Sequence, residues 1–401
     1  MHLPPSKSIA NRILVLSFLS GGIPAVQKTW GQLQQQWQQL PDDIQLMYIA
    51  LKTLASNALP ITINASDAGT VLRFLLPLVA MHIDIPVKFI GSERLFQRPL
   101  TPLIEALTSS GAKWSVKKNS GILTPPPNKK DHLKLTIDAE QSSQFISGLA
   151  MSIAGLKNGG TISWNTPLAS AAYLTLTQLC LQKFNCNANL QKNSIEIPGN
   201  SLTPLITERR PLSTDWSAAA VALCAAAILG KQIKICNLNP KDGQPDIAIL
   251  EILRKVGCEW YFENETCIFT GRLKKGIHAD LNDCPDLAPP LATLAVFAPN
   301  ISKLSGLSTL PHKESDRIKG IIRLVEWFGG RVETLADSAI KIFPTNTVHH
   351  TPAHPFDPDN DHRLVFAAAI GALLTGGTIL NQQCTSKSWP GFTPNILLTD
   401  H

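Results

Sequence analysis

Almost wholly apolar stretches of helical length open near residues 8, 70, 143, 216, 287 and 362, about seventy residues apart. A helix that is apolar on every side has no face to offer water, so each of these belongs inside a core. A second, more amphipathic series follows at 43–55, 99–110, 172–183, 245–257 and 314–328, with a short member near 389–397. Strand-like runs lie between them, such as 87–90, 133–137 and 232–235. Strands alternating with paired helices describe six α/β units. A chain of 401 residues exceeds what one core serves, so the units divide into two domains of three. The expected domains are 6–212, and 1–5 with 213–401. The hinge is expected at Arg209-Arg210-Pro211-Leu212-Ser213 and the other crossover near Leu3-Pro4-Pro5-Ser6.

Each apolar helix opens on Ser, Thr or Asp, which predicts a side-chain cap on its exposed N–H groups. Asp215 is fully explained as such a cap. The cations at these entrances are not, because the helix dipole disfavours them there. They are Lys7, Arg12, Arg73, Arg98, Lys313, Arg317, Arg363 and Lys387. Arg suits bidentate binding of phosphate or carboxylate, and Lys suits point-charge contact. The densest case is Lys313-Glu314-Ser315-Asp316-Arg317, expected within one helical turn and followed by an amphipathic helix over 318–328 that Gly329-Gly330 stops. Alone, this stretch is a solvated cap. Together with Ser6-Lys7-Ser8, Ser142-Ser143-Gln144, Asp361-His362-Arg363 and Lys387, it points to an enzyme acting on small, multiply anionic substrates.

The net charge of +6 is dispersed, with no Lys/Arg block, and the 6% of aromatic residues are not interleaved with basic ones. A stacking surface for single-stranded nucleic acid is therefore not expected. None of the eight cysteines forms a CxxC pair, so buried or half-buried free thiols in a reducing compartment are expected. His349, His350 and His354 sit beside prolines without nearby Cys or patterned carboxylates, which suits a surface loop better than a metal site. No apolar run reaches the ~18 residues that span a bilayer. A soluble cytoplasmic protein is expected.

The segments LPPSKSIANR, DAGTVLRFL, GSERLFQRPLTPLIEAL, SSQFISGLAM, KESDRI, DHRL and CTSKSWPGF are each weak strings, but their order and spacing are specific. Through them the chain resembles the EPSP synthase (3-phosphoshikimate 1-carboxyvinyltransferase) family of enolpyruvyl transferases, over nearly its whole length. The resemblance implies an α/β fold of two domains, each of three βαβαββ units with buried parallel helices, and an active site in the interdomain cleft. It implies transfer of the enolpyruvyl group of phosphoenolpyruvate to the 5-hydroxyl of shikimate 3-phosphate through a tetrahedral intermediate, with neither cofactor nor metal. Small-molecule substrates, a monomer, and no nucleic-acid or membrane partner go with it.

Carried over by position, Ser8, Arg12, Ser142, Ser143, Gln144, Ser170 and Tyr173 resemble the shikimate 3-phosphate contacts, with Lys313 beside them. Thr309 stands where relatives often have an Asn that contacts the same substrate. Lys7, Arg98, Arg317, Arg363 and Lys387 resemble the phosphoenolpyruvate clamp, which Gln144 also touches. Lys7 is implied to serve both substrates and to belong with the catalytic groups. Gly69 occupies a turn where a side chain would crowd phosphoenolpyruvate, and it leaves room for the inhibitor glyphosate. Asp286 resembles the carboxylate that takes the 5-hydroxyl proton, Glu314 the acid/base at the methylene carbon, and Asp43 a carboxylate near the cleft.

Some features depart from the family. Members carry a segment ahead of the Ser-Lys-Ser motif that adds a strand to the second domain; Met1 lies five residues before Ser6, so that strand is expected to be missing or replaced. Asp67 replaces a frequent Asn and would repel phosphoenolpyruvate unless an arginine such as Arg98 balances it. The glutamine-rich stretch 32–39 suits a local insertion or a solvent-facing segment. The alternatives are a catalytically impaired relative that binds shikimate 3-phosphate, the transferase acting on UDP-N-acetylglucosamine, and an RNA-end-processing enzyme. The second normally has Lys-Asn after its first serine and a loop cysteine; here Ser8 follows Lys7, and 91–98 holds no cysteine.

Overall fold

The computed structural model describes residues 1–56, 59–205, 212–336, 338–346 and 351–398. It divides into two units, Lys7–Leu212, and Met1–Ser6 with Ser213–His401. Ser6 goes with the second unit, where its amide donates to the Ser213 carbonyl at 2.9 Å. Of the expected hinge, 209–211 lie outside the described residues, as do His349 and His350 of the histidine cluster.

The first unit begins with two helices, α1 (Lys7–Gln36) and α2 (Asp42–Leu54). Two repeats follow. The first holds β1 (Ile61–Ser66), α3 (Gly69–His82), β2 (Val87–Gly91), α4 (Glu93–Gln97), α5 (Thr101–Ser109), β3 (Lys113–Lys117) and β4 (Ser120–Thr124). The next holds β5 (Leu133–Thr136), α6 (Ser143–Ala154), β6 (Gly160–Ser163), α7 (Ala172–Lys183), β7 (Asn189–Leu190) and β8 (Ser194–Ile197). Their sheets run β1-β2-β4-β3 and β5-β6-β8-β7, the first pair parallel and the others antiparallel. β1 alternates buried and exposed residues, so one sheet face meets the core and the other meets water.

The second unit holds α8 (Trp216–Leu229), β9 (Ile233–Ile235), α9 (Ala248–Lys255), β10 (Cys258–Glu263) and β11 (Thr266–Gly271). It continues with β12 (His278–Asp280), α10 (Ala288–Val296), β13 (Ser302–Ser305), α11 (Arg317–Trp327), β14 (Arg331–Leu335), β15 (Ala339–Phe343) and α12 (His362–Thr375). The sheets are β10-β11-β9 and β12-β13-β15-β14. The Met1 amino group donates to the Lys234 carbonyl at 2.7 Å, and the Cys236 amide donates to the Met1 carbonyl at 3.3 Å. Met1 thus pairs briefly beside β9.

Among the described residues, three repeats show all four strands. The opening repeat shows helices alone, and the closing one has a single parallel bridge between Phe356 and Ile379. The reason is local. Pro24 and the glutamines of 32–39 offer no β-branched alternation, and α1 carries Gln34, Gln35 and Gln36 exposed. Near the C-terminus, Pro390, Gly391 and Pro394 leave only 3-10 turns at Gln382–Lys387 and Pro394–Leu397 in place of the helix expected over 389–397.

α1, α3 and α6 pack on one another in the first core, and α8, α10 and α12 do so in the second. Each fully buried Leu, Ile, Val or Phe contributes about 1.5–3 kcal/mol. Gly148 of α6 permits close contact with α3, since a Cβ there would lie 2.5 Å from the Arg73 carbonyl oxygen. An 18-residue window of α1 has a mean hydropathy of 1.5, but Gly22 (φ 62, ψ −155) breaks the helix. α1 is therefore two shorter helices, the first lodged in the core. All eight cysteines are thiols outside any disulfide; six are buried, and Cys236 and Cys384 are half-buried.

The caps follow expectation at Ser142, Asp215 and Asp361, each accepting from backbone N–H groups of its helix. Elsewhere they do not. α3 opens behind Ala68 and α10 behind Leu287, neither with a side-chain cap. Asp67 instead accepts a hydrogen bond from the Ser92 hydroxyl, and Asp286 is held by arginines. The stretch 313–316 also precedes its helix: α11 starts at Arg317, with Asp316 as the cap.

Candidate active site

In the second unit the charged entrances build one chain of ion pairs. Arg317, the first residue of α11, is its centre. Its Nε donates to Asp361 Oδ2 at 2.7 Å, Nη1 to Asp286 Oδ1 at 2.7 Å, and Nη2 to Glu314 Oε2 at 2.8 Å. Arg363 Nη2 donates to Asp286 Oδ2 at 3.0 Å, and Lys387 Nζ to Glu314 Oε1 at 3.2 Å. Three cations and three carboxylates are thus joined in one hydrogen-bonded chain.

The parts of this chain differ in access. The Arg317 and Asp361 side chains are 2% and 0% exposed, whereas Asp286 and Glu314 are 20% and 15% exposed. Asp361 is fixed four ways: it caps α12 through the Arg363 amide (2.9 Å), accepts from Ser315 Oγ (3.1 Å), and takes two bonds from Arg317. It is an anchor. Asp286 and Glu314 reach solvent and can touch a ligand. Burial opposes the charge on Asp286, but Arg363, Arg317 and Lys313 together hold its pKa well below the usual carboxylate range. Burial likewise opposes the charge on Arg317, and its three carboxylates more than offset this, holding the guanidinium pKa well above the ordinary value. Thr309 is buried, and its hydroxyl has no hydrogen-bond partner among the described residues.

In the first unit, helix entrances again carry the polar groups. Lys7 opens α1 and pairs with Asp43 at 3.2 Å. Asn11 Nδ2 donates to Thr70 Oγ1 at 2.8 Å, tying α1 to α3. Arg12 points inward: Nε donates to Thr177 Oγ1 (2.8 Å), Nη1 to the Ser8 carbonyl (2.8 Å), and Nη2 to Ser147 Oγ (3.4 Å) and the Tyr173 carbonyl (3.3 Å). Arg12 therefore joins α1, α6 and α7, bringing Ser8 and Tyr173 together, and burial lowers its pKa. Arg73 Nη1 donates to Gln144 Oε1 at 2.9 Å. Ser142 caps α6 through the Gln144 amide, with Ser143 buried beside it. Ser170 is buried at φ 54, one turn ahead of Tyr173. Gly69 faces Arg98: a Cβ there would lie 2.9 Å from Nη1 and 3.2 Å from Cζ.

The expected residues thus gather as two sets, one in each unit. Sequence reasoning missed Asp361 as the fixed counter-ion of Arg317. It also missed Asp246, buried beside the Asp286–Arg363 pair. A signal for Asp246 was present, since Pro245-Asp246-Ile247 repeats the pattern of Pro285-Asp286-Leu287, and both form 3-10 turns.

A family model described as EPSP synthase (3-phosphoshikimate 1-carboxyvinyltransferase) matches residues 1–396. The chain belongs to the EPSP synthase family. A 3-phosphoshikimate 1-carboxyvinyltransferase of Methanospirillum hungatei is 31% identical over 426 residues, covering 97% of this chain and 93% of that one. One from Saccharolobus islandicus is 31% identical over 337 residues, covering 84% and 79%. An EPSP synthase structure from Acinetobacter baumannii superposes with a TM-score of 0.73 at 18% identity, covering 99% of this chain and 94% of that one. That last likeness is one of fold. The family match embraces both polar sets of this EPSP synthase relative, from Lys7 to Lys387.

Proposed function

We propose that the chain transfers the enolpyruvyl group of phosphoenolpyruvate to the 5-hydroxyl of shikimate 3-phosphate. The observation that carries this reading is the ion-pair chain Lys387–Glu314–Arg317–Asp286–Arg363, in which two solvent-reaching carboxylates sit among cations suited to an anionic substrate. Ser8, Ser142, Ser143, Gln144, Ser170, Tyr173, Thr309 and Lys313 are assigned to shikimate 3-phosphate, with Arg12 positioning α1 and α7. Lys7, Gly69, Arg98, Gln144, Arg317, Arg363 and Lys387 are assigned to phosphoenolpyruvate. The protein is proposed to work as a cytoplasmic monomer without nucleic-acid or membrane partners.

The enol carbon of phosphoenolpyruvate is a poor electrophile until its methylene carbon is protonated. In the ligand-free site Glu314 is a carboxylate bound by Arg317 and Lys387. When the substrate anion draws those cations away, Glu314 takes a proton from solvent and donates it to the methylene carbon, C2 becomes cationic, and the 5-oxygen bonds to C2 while its proton passes to Asp286. The tetrahedral adduct then loses the C3 proton back to Glu314. The C2–O bond to phosphate breaks, and the departing phosphate takes the proton that Asp286 removed from the hydroxyl. Lys387, Arg317 and Arg363 offset the charge that develops on the leaving group. In the ligand-free site, Asp286 is a weak base because two guanidiniums bind it. An anion that draws those guanidiniums away raises its proton affinity, so phosphoenolpyruvate itself prepares the base.

The direct test is phosphate release with both substrates, with shikimate 3-phosphate omitted, and with UDP-N-acetylglucosamine in its place. Release that needs both shikimate 3-phosphate and phosphoenolpyruvate is expected. Binding of shikimate 3-phosphate without turnover contradicts the reading. Gly69→Ala, which presses on Arg98, is expected to raise KM for phosphoenolpyruvate by about tenfold and to leave KM for shikimate 3-phosphate nearly unchanged. Steady-state kinetics with each substrate varied in turn check this.

A further inference from the structure

Asp246 is a carboxyl that the reaction above does not use. It lies in the 3-10 turn Pro245–Ile247 ahead of α9 and is 2% exposed. One oxygen accepts from the Ser217 hydroxyl of α8, and the other, Oδ1, is buried without a hydrogen-bond partner. The charged and titratable groups around it are Asp286 and Cys284 from the neighbouring Pro-Asp turn, Arg363 from α12 and Asp215 from the cap of α8. Arg363 also keeps its buried Nε without a partner. A carboxylate with one bare oxygen beside Asp286 would place two like charges together in a dry site, which favours the neutral acid.

We propose that Asp246 is a positioning residue for phosphoenolpyruvate: as a neutral acid it leaves the Arg363 charge available to the substrate anion, and as a carboxylate it draws on that charge. This rests on the proposed reaction. Burial first, then the Asp286 charge, push the Asp246 pKa up to about 7, against the opposing pull of Arg363 and the Ser217 hydrogen bond. The sign follows. Below that value Asp246 is uncharged and Arg363 binds the anion best; above it, affinity falls. Because the folded-state value is raised, the acid's contribution to stability is likewise lost as pH rises through about 7.

The test compares wild type with Asp246→Asn, an isostere of the neutral acid, at pH 6 and pH 8. The ionisation of phosphoenolpyruvate itself acts equally on both. KM for phosphoenolpyruvate in wild type is expected to rise between these pH values by about fivefold more than in the variant, with kcat alike in the two. Carbon NMR of labelled aspartate carboxyls, assigned through the variant, is expected to give Asp246 a midpoint near neutrality in wild type. Ser217→Ala is expected to move that midpoint upward. Coincident KM profiles, an effect on kcat alone, or a midpoint near that of an ordinary aspartate overturns the proposal. A wild type without turnover removes the assigned reaction and this role with it; coincident profiles in two active proteins remove this role alone.

Discussion

Asp286→Asn is expected to bind shikimate 3-phosphate and to lose about 10²–10⁴ in kcat, the usual worth of a general acid or base. The substitution keeps the shape of the side chain and removes the group assigned to the 5-hydroxyl proton. Arg363 and Arg317 lose one shared counter-charge, so KM for phosphoenolpyruvate is expected to stay level or fall while kcat collapses. That division separates a lost base from a damaged site, since a disordered clamp raises KM. Glu314→Gln is expected to fall within the same range through the other proton. Calorimetric binding of shikimate 3-phosphate beside steady-state rates gives the check, and full activity in either variant rejects the assigned role.

Arg317→Met is expected to lose about 3–5 kcal/mol of stability at pH 7, because it strands Asp361 at 0% exposure without its guanidinium. The Ser315 hydroxyl and the Arg363 amide remain, and neither carries a full charge. The pH dependence has a definite sign. Asp286 has a depressed pKa in the folded state, so its contribution is present above the unfolded value of about 4 and is lost as pH falls further. Wild type and variant are therefore expected to converge in acid. Urea midpoints across pH measure this. A loss under about 1 kcal/mol at pH 7 would mean that Asp361 is held by its remaining bonds.

The buried helices were legible because nothing but a core accepts them: openings expected near 8, 70, 143, 216, 287 and 362 stand at Lys7, Gly69, Ser143, Trp216, Ala288 and His362. The break at Gly22 was legible, since the first apolar stretch ends on Gly21-Gly22, while the helical turns that follow it to Gln36 were hidden among glutamines. That the described residues of the first and last repeats form no strands was hidden for the opposite reason: a regular spacing of helices says nothing of the segments between them. At the site, residue types were legible and partners were not. The Arg317–Asp361 bond joins residues 44 apart, and only the packing of α11 on α12 makes it. Asp246 resembled any acid at a helix entrance until its burial beside Asp286 and Arg363 was seen.

The most direct measurement is solvent deuterium entering the methylene carbon of phosphoenolpyruvate during turnover in D2O, since addition makes that carbon a methyl group and elimination removes a hydrogen from it. Deuterium is expected in recovered phosphoenolpyruvate or in product only when shikimate 3-phosphate is present, and Glu314→Gln is expected to suppress it. Turnover with no deuterium at that carbon, or unchanged incorporation in the variant, would contradict the assignment of the ion-pair chain as the site of enolpyruvyl transfer.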